Sequence, residues 1–83
     1  MSISENKYED FKNIIETIYK MDLSNYFKET FDTLVHYLKE YNKFRCWELV
    51  DTLYPAVKLE NNINDEQISY IKQALLKIAK ECK

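Results

Sequence analysis

Residues 25–41 read NYFKETFDTLVHYLKEY, and this stretch decides the fold class. Phe27, Phe31, Leu34, Leu38 and Tyr41 fall at steps of three and four, the spacing of one face of an α-helix. Lys28, Glu29, Asp32, His36, Lys39 and Glu40 fall on the opposite face. Just before the stripe, Asp22-Leu23-Ser24 offers two side chains able to accept the first orphan helix N–H, so a helix is expected over about 25–41.

The same period recurs on either side. Tyr8, Phe11, Ile15 and Ile18, with Ile14 beside them, predict a helix from about Ser4 to Met21, and Ser2 with Glu5 has capping-box spacing. Towards the C-terminus, Ile68, Ile71, Leu75, Ile78 and Cys82 step in the same way over about 65–81. There Asn64 and Gln67 have the spacing of a cap, and Ile63 and Ile68 that of a hydrophobic staple. Lys77, Lys80 and Lys83 crowd the end of that helix, where positive charge complements the dipole. A further helix is expected from near Phe44, after Asn42-Lys43. Its apolar residues Cys46, Trp47, Leu49, Val50, Leu53 and Tyr54 spread over a wide arc, which predicts the most buried helix of the set. Pro55 should end or kink it, because proline removes a backbone donor and crowds the preceding turn.

Short connections between amphipathic helices favour antiparallel neighbours. The expected fold is therefore all-α, a small antiparallel bundle of about four short helices, in one domain over 1–83. A three-helix core with an irregular third segment is the alternative. Composition agrees: 46% hydrophobic and 31% charged residues suit a globular chain, and the absence of glycine weighs against strand-rich folds with their tight hairpins.

Charge and composition narrow the function. The net charge of −2 is unlike the basic balance of a strongly nucleic-acid-binding domain. It is unevenly placed, with five lysines against eight acids (−3) over residues 1–42, and seven basic residues against six acids (+1) over 43–83. No apolar run approaches the roughly 20 residues that span a bilayer, and no signal-peptide pattern opens the chain, so a cytoplasmic protein without membrane contact is expected. Cys46 and Cys82 are far apart in sequence and form no C-x-x-C motif. Each falls on an apolar helix face, where burial should raise the thiol pKa and leave it inert, as suits a reducing compartment.

Motifs for chemistry are missing. His36, the single histidine, shares a face with Glu29, Asp32 and Glu40, but di-iron bundle sites take Glu-x-x-His motifs from two helices. A solvated, mixed-charge face is the better reading of these four. No glycine-rich loop cradles phosphate, and no pair of carboxylates stands apart from the other surface acids. The expectation is a protein that is not an enzyme and uses no metal or cofactor.

Two surfaces could bind a partner. Tyr26, Thr30, Thr33 and Tyr37 form an uncharged shoulder beside the core stripe of residues 25–41, continued by Tyr41. Tyrosine is enriched and charge depleted at the centres of protein interfaces. Packing against a neighbouring helix explains the same pattern. The second surface is a basic strip, Lys72, Leu76, Lys80 and Lys83, with Lys77 adjacent. It has no interleaved aromatic for base stacking, and ordinary solubility accounts for it too. The leading functional expectation is a small intracellular protein acting by stoichiometric binding to a protein partner, of inhibitor, immunity, anti-defence or adaptor type. Alternatives are a nucleic-acid-associated regulator using the basic last helix, and a homo-oligomeric structural module.

Overall fold

The computed structural model describes the backbone of residues 3–40 and 42–82, and the side chains of residues 9, 11–40 and 42–82. It shows a small all-α bundle: α1 (Ile3–Tyr19), α2 (Asn25–Lys39), α3 (Lys43–Ala56) and α4 (Asp65–Glu81). A 3-10 turn, Val57–Leu59, extends α3. Among the described residues, no helix is long and apolar enough to cross a membrane.

Local chemistry sets the helix starts. The Ser24 side chain accepts the Phe27 N–H at 3.2 Å and opens α2. Asn42 does the same for Arg45 at 3.2 Å and opens α3. Asn64 and Gln67 make the reciprocal capping box expected of them, at 2.8 and 3.0 Å. The proposed Ser2–Glu5 box lies outside the described residues.

Helix ends depart slightly from expectation. α1 stops at Tyr19, and the chain beyond it still serves the core, because Met21 and Leu23 are buried. α2 stops at Lys39 with Glu40 as its cap, short of the expected residue 41. Pro55 does not stop α3 where it stands. The helix continues to Ala56 and then tightens, with the Val57 N–H reaching back to the Leu53 carbonyl. Proline deprives only the Asp51 carbonyl of a donor, and Asp51 is exposed.

The core is built on the stripes read from the sequence, with Val35, Val57 and Ala74 added and Ile68 only half-buried at its edge. Phe11, Ile15 and Ile18 of α1 meet Phe27, Phe31, Leu34, Val35 and Leu38 of α2. Cys46, Val50 and Leu53 of α3 join them with Val57, and Ile71, Ala74, Leu75, Ile78 and Cys82 close the cluster from α4. Among the described residues no polar or charged side chain is buried, so the fold bears no uncompensated desolvation cost.

Several pairings fix the up-and-down arrangement. Tyr37 and Leu38, at the end of α2, border the same small cavity as Cys46 at the start of α3 and Cys82 at the end of α4. Ser24, at the start of α2, meets Glu60 beyond the end of α3. Tyr19 of α1 sets its ring edge-on to Phe31 at 5.5 Å and donates its hydroxyl to Asp32 at 2.8 Å.

One expectation is overturned. α3 is not the most buried helix: Cys46, Val50 and Leu53 are its buried residues, against five in α2. Trp47 is 44% exposed and Phe44 66%. A narrow stripe at 46, 50, 53 and 57 already satisfies both neighbouring helices, so Leu49 and Tyr54 are only half-buried at the edge of the core and Trp47 faces outward.

Candidate functional site: an apolar groove between the third and fourth helices

The outward residues of α3 and α4 meet along one seam. On α3, Trp47 follows the buried Cys46, about 100° further round the helix. On α4, Leu76 follows the buried Leu75 in the same way and is 43% exposed. Because α3 and α4 run in opposite directions, these two shoulders turn to the same side of the bundle. Together with Val50, Asp51, Tyr54, Pro55 and Ala79 they line an open groove of about 550 Å³.

Of the basic strip, Leu76 lines that groove, and Lys72 reaches its edge through Tyr54. Lys72 lies one turn before Leu76 and places its ammonium 5.8 Å from the centroid of the Tyr54 ring. Such a cation–π contact contributes about 0.5–1 kcal/mol at an exposed site. Lys80 lies one turn after Leu76 and is exposed. Lys83 lies outside the described residues. Asp51, on the opposite wall, supplies the acid closest to hand.

The tyrosine shoulder divides into two parts. Tyr26 is 59% exposed, and beside it is the still more exposed Leu59, with Ser24, Ala56, Glu60, Asn61 and Asn62 completing a shallow depression. Tyr37 is half-buried and packs against the core where the start of α3 covers it. Between them, Thr30 and Thr33 return their hydroxyls to the Tyr26 and Glu29 carbonyls, at 2.8 and 3.1 Å. Tyr41 lies outside the described residues.

On the charged face of α2, His36 Nε2 lies 3.2 Å from Glu40 Oε2, both side chains well exposed. Asp32 is engaged by Tyr19 rather than by His36. Among the described residues, no three His, Cys, Asp or Glu side chains come together in a way that could hold a metal ion.

The cysteines are buried as expected, and the Cys46 thiol is raised as expected, but Cys82 departs from expectation. Cys46 and Cys82, distant in sequence, lie within hydrogen-bond reach of each other, both buried. Their thiols do not behave alike. The hydrogen bond to Cys82, then burial, pushes the Cys46 thiol up. The same hydrogen bond draws the Cys82 thiol down, against the opposing effects of burial and Glu81 and with help from Lys43. Apolar surroundings alone would have raised both. The two thiols share one small cavity, and the partner across it, which the sequence spacing does not record, sets them apart.

Three exposed apolar residues, two of them on these surfaces, were not singled out from the sequence. Phe44 and Leu59 carry no local signal of exposure. Trp47 carries none either, because it falls within the wide apolar arc of α3 that the sequence marks as core. Compared with known protein families, with curated proteins and with solved structures, the chain matches none.

Proposed function

We propose that the domain works in the cytoplasm by stoichiometric binding to a protein partner, and that the α3–α4 groove is the docking face. The observation that carries this reading is the exposure of Trp47 and Leu76 on the two sides of one groove, in a chain too small to spare large apolar residues from its core. Tryptophan dominates the energetics of protein interfaces, and an apolar floor with a polar rim is their usual anatomy. The cations Lys72, over the Tyr54 ring, and Lys80, one helical turn from Leu76, suit a partner surface with an apolar anchor flanked by carboxylates. An inhibitor, immunity, anti-defence or adaptor protein would act through such a face. A second face, Tyr26 with Leu59, is favoured by the exposure of those two side chains.

The test uses the protein's own probe. Trp47 is the single tryptophan, so its fluorescence reports directly on the groove. Partner captured from host lysate should shift Trp47 emission to shorter wavelength on titration. Trp47→Ala should weaken binding at least roughly 30-fold, the equivalent of about 2 kcal/mol for an interface hot spot. If Tyr26→Ala abolishes binding while Trp47→Ala leaves it intact, the second face is the docking site. Steeply salt-dependent binding of DNA or RNA, with no protein captured, would replace this reading with the nucleic-acid one.

A further inference from the structure

We infer that Cys46 and Cys82 form an oxidation site that a small peroxide closes to an intramolecular disulfide, joining the first turns of α3 to the C-terminal cap of α4. The geometry supports this in three ways. The two cysteines come from the start of α3 and the end of α4 and are the two free thiols of the chain, both buried. They border a common cavity with Tyr37, Leu38, Asn42, Lys43 and Glu81. That cavity holds about 10 Å³, the space of about one water molecule, which excludes a bulky disulfide such as oxidised glutathione and leaves a small peroxide to reach the thiols when the helix end opens. Cys82 is also the capping residue of α4, at a helix end that opens more readily than a helix interior.

The chemistry balances with hydrogen peroxide as oxidant. Cys82, whose proton leaves more easily because Cys46 hydrogen-bonds to it, attacks as the thiolate. An S–O bond forms and the O–O bond breaks. The departing hydroxide takes a proton and leaves as water, and Cys82 becomes a sulfenic acid, oxidised by two electrons. Cys46 then attacks the Cys82 sulfur. The S–S bond forms, the S–O bond breaks, and the second oxygen leaves as water with the Cys46 proton. Two thiols and one peroxide give one disulfide and two waters, and a dithiol reductant reverses the closure.

The experiment treats the full, reduced chain with stoichiometric hydrogen peroxide under dilute conditions. Intact mass should fall by two hydrogens, and digestion should yield one cross-linked peptide pair containing Cys46 and Cys82. Closing the loop between them should raise the melting temperature by roughly 10 °C or more, reversibly with dithiothreitol. Cys46→Ser should stop the reaction at a Cys82 sulfenic acid that dimedone traps, with no rise in melting temperature. The wild-type chain decides the matter even if that variant fails to fold. Two thiols still free after peroxide treatment, disulfides between chains, or sulfinic acid on Cys82 with Cys46 untouched would each overturn the inference.

Discussion

Glu60 should be worth more to this fold than its place in a connecting segment implies. Its carboxylate accepts the Ser24 backbone N–H at 2.7 Å and the Ser24 hydroxyl at 2.8 Å. Ser24 Oγ in turn accepts the Phe27 N–H, so one carboxylate holds the residue that caps α2. Hydrogen bonds to a charged group contribute about 1.5–3 kcal/mol where water is excluded, but this contact lies at the surface and must be discounted. The negative charge at a helix N-terminus adds about 0.3–1 kcal/mol. Glu60→Ala should therefore cost about 1–2 kcal/mol, or about 5–10 °C in melting temperature for a domain of this size. Glu60→Gln keeps an acceptor and loses the charge, so it should cost about half as much. Urea unfolding followed by helical circular dichroism measures both. The decisive comparison is a double-mutant cycle with Ser24→Ala, whose coupling energy should reach about 0.5–1 kcal/mol because the two side chains share a network. Additive effects, or a Glu60→Ala protein as stable as wild type, would refute the capping role.

Other perturbations separate core from surface. Leu34→Ala and Ile71→Ala, at fully buried positions, should each cost about 2–5 kcal/mol in the same unfolding assay. His36→Ala should change stability by less than about 0.5 kcal/mol, because its contact with Glu40 is an exposed i,i+4 pair. Tyr37→Ala should lower the melting temperature and Tyr26→Ala should barely move it, since the first ring packs against the core and the second faces solvent. Tyr19→Phe should cost about 0.5–1 kcal/mol, the value of its hydroxyl bond to Asp32 with ring packing on Phe31 retained.

The parts of this structure legible in the sequence are those written in local chemistry. Asn64 and Gln67 lie within one turn of each other, and that turn fixes the start of α4 at Asp65. The stripe Phe27, Phe31, Leu34 and Leu38 forces a helix whatever it packs on, and all four are buried. The illegible parts depend on what lies across the bundle. Tyr26 and Tyr37 occupy nearly the same angle on α2, and only the arrival of α3 over one end of that helix makes their exposures differ. Trp47 reads as core until α4 is seen to be satisfied by the residue before it. The Ser24–Glu60 and Cys46–Cys82 contacts each join residues brought together by a change of direction between helices, which no spacing rule records.

The order in which the helices pack also has a kinetic consequence. α2 lies on α1 and α3, and α3 on α4, so most of the core forms between elements joined by short connections. Bringing such neighbours together closes small loops at small entropic cost, and chains dominated by local contacts fold in microseconds to milliseconds. The seam between α1 and α4 is different, because it joins the two ends of the chain. Its loop is the longest to close and its packing less extensive than that of α3 on α4, so α1 should dock late and leave early. Amide exchange would then run fastest along α1 and slowest along the facing stripes of α2 and α3, giving this short bundle a graded rather than uniform resistance to opening.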